Sequence, residues 1–157
     1  MDNQLRILSE SLDKKIKVLA EIQEYNKKQE QVFLAETVQL SDFDAAVAEK
    51  GRLIEQLNKL DEGFEILYAK LAEQLQNNRT QYAAEIRELQ GKIKQVTELG
   101  VSVEVQEKRN KQLVEQYFAR ERASIGRNRK ASKAAYDYYK RANNVSYVQP
   151  QFYDDKK

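Results

Sequence analysis

Proline occurs once in this chain, at Pro150, so nothing in the first 149 residues carries the ring that breaks a helix. That absence constrains the fold more than any motif does. Glu, Lys, Arg, Ala and Leu make up 74 of the 157 residues, and another 16 are Gln, all good helix formers. The five glycines are scattered. The expected fold class is all-α: an elongated antiparallel bundle of three long helices, followed by a C-terminal short helix or tail. The domain reading is a helical bundle over 1–124 and a basic, tyrosine-rich segment over 125–157.

Apolar residues set the helices. Leu5, Leu8, Leu12, Leu19, Ile22 and Phe33 follow alternating three- and four-residue steps, and Ile16, Val18 and Tyr25 widen that stripe. A first helix over 2–35 follows. Lys15, Asn26 and Gln29 fall in the same register. Polar residues on a seam either fix register or mark a partly solvated end of the bundle, and the solvated end is the expectation here. A break at Glu36–Leu40 leads to Ser41, which has the chemistry of an N-cap, with Asp42 and Asp44 expected in the first turn, where carboxylates meet the positive helix end. The second helix, 42–76, carries Phe43, Val47, Ile54, Leu57, Phe64, Tyr68, Leu71 and Leu75, broadened by Leu53, Leu60 and Leu67.

The stripe resumes at Tyr82, Ile86, Leu89, Ile93, Val96, Val103, Leu113, Val114 and Tyr117, one residue out of phase after Ile86. Such a shift arises from a stutter in one continuous helix or from a break at Gln76–Thr80. Two helices are expected, because a single one from Ser41 to Arg122 would extend roughly 120 Å beside a much shorter first helix. The third helix then covers 80–124. Gly100–Val105 alternates like a strand and is rich in β-branched residues, but both flanks are helical, so it is expected to be helix.

Composition removes most catalytic chemistries. The chain has no His and no Cys. Imidazole bases, Ser-His-Asp triads and thiol nucleophiles are therefore excluded, as are cysteine zinc sites. Glu85 and Glu88, at i and i+3, lack a facing partner motif and are expected to be solvated charge; no metal, cofactor or catalytic residue is assigned. No window approaches the ~18 apolar residues needed to span a bilayer, and the first residues lack the pattern of a secretory signal, so a cytoplasmic location without membrane insertion is expected.

Residues 125–157 differ from the rest, with eight Lys/Arg against three Asp, while residues 1–124 carry nineteen Lys/Arg against twenty-two Asp/Glu. Five of the nine tyrosines lie in this segment. Ala131, Ala135, Tyr138 and Ala142 share a helical face, so a short helix over 129–142 is expected. Basic residues interleaved with tyrosine suit phosphates and bases. The net charge is only +2 and no DNA-binding motif is present, so nucleic acid is not the expected partner.

The run Leu40-Ser41-Asp42-Phe43-Asp44, then Glu49-Lys50, Leu53-Ile54, Leu57, Leu60-Asp61, Phe64 and Leu67-Tyr68, resembles the flagellar export chaperones of FlgN type. Tyr82, Glu85-Ile86, Leu89-Gln90, Ile93, Glu107 and Asn110 extend the resemblance, which covers roughly residues 1–125. It implies a non-enzymatic cytosolic chaperone that binds the amphipathic terminal helices of hook–filament junction proteins and delivers them to the flagellar export gate. The alternatives are a filament-cap chaperone, a structural coiled-coil adaptor or a nucleic-acid-binding helical protein. Homodimerisation is left open. The expected partner-binding residues are Tyr117, Phe118, Lys133, Tyr136, Tyr138, Tyr139, Lys140 and Arg141, with the aromatics as anchors and the cations as rim. Packing of the same aromatics onto the bundle itself is the alternative.

Overall fold

The computed structural model describes residues 2–121 and Tyr138. Three helices follow one another: α1 (Asp2–Leu34), α2 (Leu40–Asn77) and α3 (Ala83–Arg120). No strand occurs among the described residues. The all-α expectation holds, and so does the break between the second and third helices. Residues 78–82 form turns, and both the backbone N–H and the side-chain amide of Asn78 donate to the Gln74 carbonyl. That asparagine ends α2 by competing for its last carbonyls. The turn also absorbs the one-residue phase shift of the apolar stripe. Gly100–Val105 lies within α3, with Val103 buried and Val101 and Val105 outward. Two buried faces on the flanking turns override the β-branched local preference.

Contacts fix the helix directions. Lys15 meets Asp61, Asn26 meets Lys50 and Phe33 meets Phe43, so each step up α1 is matched by an equal step down α2. The two are antiparallel. Ser9 with Glu88, Gln23 with Ser102 and Glu30 with Arg109 keep a constant separation of 79 residues, so α1 and α3 run parallel. The bundle is up-down-up. α1 packs along both other helices, while α2 and α3 approach each other less closely and are joined by long side chains.

Two apolar clusters fill the interior. One joins Val18, Leu19, Ile22, Phe43, Val47, Leu53, Ile54, Leu57, Val103 and Val114; the other joins Leu5, Leu8, Leu12, Phe64, Leu71, Leu75, Leu89 and Ile93. The Lys15–Asp61 ion pair lies between them along both α1 and α2.

Three expectations are corrected. Lys15, Asn26 and Gln29 do not mark a solvated end: they are 5%, 1% and 0% exposed. Ser41 is not the cap of α2. Gln39 holds that position without a side-chain cap bond, and its carbonyl accepts from the N–H groups of Asp42 and Phe43. With the helix starting earlier, only Asp42 lies in the first turn, and partial burial raises the Asp44 carboxyl above the ordinary range. The third helix begins at Ala83 rather than 80, because the Tyr82 N–H bonds back to Asn78 within the turn. The expected helix over 129–142 lies outside the described residues apart from Tyr138.

Candidate functional site

The polar residues of the interior all stand on apolar seams. Lys50 lies three residues after Val47 and four before Ile54; Asn110 lies four before Val114. Helical spacing therefore drives these side chains inward with their apolar neighbours. Most of their polar atoms find partners, since an unpaired buried polar group costs about 1–3 kcal/mol; Asn110 Oδ1 and Glu107 Oε2 are buried without one among the described residues.

Lys50 is fully buried. Its ammonium donates to Asn26 Oδ1 and Gln29 Oε1, both at 2.6 Å, and to Glu107 Oε1 at 2.9 Å. Three acceptors match the three N–H groups of a lysine. The network continues outward. Asn26 Nδ2 donates to Gln106 Oε1, and Asn110 Nδ2 donates to the Asn26 carbonyl. Side chains from α1, α2 and α3 thus converge on one cation. Burial pushes the Lys50 ammonium below the ordinary lysine range, and the Glu107 carboxylate pulls it partly back. A second buried cation, Lys15, pairs with Asp61 and lies 5.5 Å from the Phe64 ring centre. There too burial dominates, raising the Asp61 carboxyl despite the lysine beside it.

Tyr138 joins the Lys50 site. Its ring is fully buried, its hydroxyl donates to Glu107 Oε1 at 2.6 Å, and Lys50 Nζ stands 4.2 Å from the ring centre. One Glu107 oxygen therefore accepts from both Lys50 and Tyr138. The phenol supplies a donor for the carboxylate and a π-face for the ammonium. Replacing Tyr138 with Phe keeps the ring but deletes the donor. A charge-assisted hydrogen bond of this kind contributes about 1.5–3 kcal/mol, and urea denaturation should show a loss in that range.

The expected partner-binding residues divide into two groups. Tyr117 and Phe118, on the last turn of α3, are half-buried at the end of the bundle where α1 stops and α2 starts. Phe33 packs edge-on against the buried Phe43 at 5.1 Å and lies 5.5 Å from Tyr117, which meets Phe118 at 5.2 Å. Tyr138 is turned into the chain's own core. Lys133, Tyr136, Tyr139, Lys140 and Arg141 lie outside the described residues.

Sequence reasoning placed neither Lys50 nor Glu107 in a site. The signal was the lysine midway between two seam residues, Val47 and Ile54. Among the described residues no three His, Cys, Asp or Glu side chains gather as metal ligands, and no helix is long and apolar enough to cross a membrane. Glu88 pairs with Lys92, while Glu85 keeps one buried oxygen without a hydrogen-bond partner. No family model, curated protein or solved structure matches the chain.

Proposed function

We propose that this chain is a non-enzymatic, cytoplasmic binding protein of flagellar type III export, which shields the amphipathic terminal helices of hook–filament junction proteins and presents them at the export gate. The observation that carries this reading is the half-buried Tyr117–Phe118 pair, backed by Phe33 and Phe43, at the bundle end where α3 leads into the basic, tyrosine-rich segment. Aromatic surface offers large contact area at low entropic cost. An apolar helix face presented by a partner loses water against it, in the manner of helix-in-groove recognition. The resemblance over Leu40–Tyr68 supplies the partner class. Binding has to be reversible for a delivered protein, which suits a modest interface with ordering costs.

Titration calorimetry of the full chain against a purified junction protein tests the proposal. One-to-one binding is expected. Replacing Tyr136 and Tyr139 together with Ala should weaken it about tenfold or more, whereas neutralising Lys133, Lys140 and Arg141 should cost less, since rim charges are screened by water and salt. Tyr138 is left intact, because it also holds the core. Binding to a filament-cap protein alone would move the assignment to that chaperone class. No heat with either protein would refute the export reading and leave the structural adaptor. Salt-sensitive binding to unrelated RNA or DNA would replace it with nucleic-acid recognition.

A further inference from the structure

α3 carries a second seam, pointing away from the bundle. Its buried residues, Ile93, Gly100, Val103, Asn110 and Val114, face α1 and α2. On the opposite side Lys94, Glu98, Val101, Val105, Lys108 and Gln112 are all exposed. Their spacing alternates four and three residues, which is the heptad step of a two-stranded coiled coil. Val101 is 56% exposed and Val105 54%, and among the described residues of α3 no other large hydrophobic is exposed. β-branched residues lower helix propensity slightly, so their place on a solvent face is not explained by helix formation.

The charges around the two valines have a particular symmetry. Glu98 and Lys108 stand equally far from the midpoint between Val101 and Val105, with opposite signs. Neither makes an ion pair among the described residues. If a second copy of α3 is laid antiparallel across that midpoint, Val101 faces Val105, Glu98 faces Lys108, and both contacts recur by the two-fold axis. Antiparallel coiled coils pair their two seam positions in this crossed way. A parallel, in-register pair instead sets Glu98 against Glu98 and Lys108 against Lys108. We propose that the outward seam of α3 is a self-association surface, on which a second copy of this chain docks antiparallel about Val103. An isologous contact of this kind closes at two copies. The surface stands apart from Tyr117, Phe118 and the Lys50 site, so the dimer does not depend on the chaperone reading. One contact in the register is repulsive: Glu104 flanks the seam beside the axis and faces its own copy.

The interface is small, so a reversible dimer with a dissociation constant on the order of 100 µM is expected. Sedimentation of the full chain from about 10 µM to about 1 mM reads it directly. Val101→Glu should raise the dissociation constant about tenfold or more, by placing a charge in the apolar centre. Both Glu98→Lys and Lys108→Glu should weaken the dimer about threefold or more, and combining them should restore it. Glu104→Gln should tighten it. All these positions are exposed, and unchanged helical circular dichroism establishes that each variant still folds. The chain has no cysteine, so a nitroxide on Lys94→Cys is unique. Antiparallel docking puts the two labels about 27 Å apart along the axis; parallel docking would bring them within about 10 Å. A monomer throughout the concentration range, a dimer indifferent to Val101→Glu, or the short label distance would each overturn the proposal.

Discussion

Replacing Lys50 with methionine is expected to lower the unfolding free energy by about 3–5 kcal/mol, although methionine is the more hydrophobic residue. The reason lies in what remains. Asn26 Oδ1, Gln29 Oε1 and Glu107 Oε1 all accept from the Lys50 ammonium, and its removal takes a charged donor from two buried amide oxygens and leaves the Glu107 carboxylate with the Tyr138 hydroxyl but without its counter-charge. Stranded groups pay their full desolvation cost, which exceeds the net worth of the bonds lost. Guanidinium denaturation of both proteins measures the difference. Its pH dependence gives a second check. Burial lowers the Lys50 pKa, so between its folded value and the ordinary lysine value the unfolded chain binds the proton more tightly than the folded one. Stability from this group rises with pH there, and the gap between wild type and Lys50→Met should widen across that window.

Leu57→Ala should cost about 2–5 kcal/mol and Phe64→Ala about 3–5 kcal/mol. Leu57 is 1% exposed and Phe64 3%. They belong to different apolar clusters on either side of the Lys15–Asp61 pair. Phe64 also stacks on Tyr68 at 6.2 Å and lies beneath the Lys15 ammonium, so its removal exposes a buried cation as well as leaving a cavity. Val96 packs against both clusters, so the losses in the double variant should depart from additivity by about 0.5 kcal/mol or more. Thermal melts with unchanged midpoints would mean that this face is not buried.

The helices were legible in the sequence because their signal is local. Leu5, Leu8 and Leu12 already define a face, and Asn78 marks an end by its own chemistry. Helix starts were less legible. α2 begins at Leu40 through backbone bonds to the Gln39 carbonyl, which no side-chain preference announces, while Ser41 had the better capping chemistry and lies inside the first turn. The polar core was misjudged for a different reason. Asn26, Gln29 and Lys50 look costly one at a time, and a solvated end accounts for each singly. Their burial becomes tolerable only when they meet, and the partners lie between 21 and 84 residues apart along the chain. Periodicity shows that Lys50 points inward; it does not show that three acceptors await it. Tyr138 stands further still from that logic. An outward anchor and packing onto the bundle were both open for it, and its buried ring and its hydroxyl bond to Glu107 fit the second.

Buried polar residues of this kind add little net stability compared with well-packed apolar ones, but they penalise every arrangement in which they fail to meet. In this bundle, where α2 and α3 are joined mainly through long side chains, Lys50 and Glu107 set how the two helices sit against α1. The most direct test of that claim is a double-mutant cycle with Lys50→Met, Glu107→Leu and the pair together, measured by equilibrium denaturation. Each single variant leaves one charge of the ion pair without its counter-charge, whereas the double variant removes both charges. The double variant should therefore be more stable than the sum of the single losses allows, by about 2 kcal/mol or more. Strictly additive losses, with no coupling between the two positions, would contradict it.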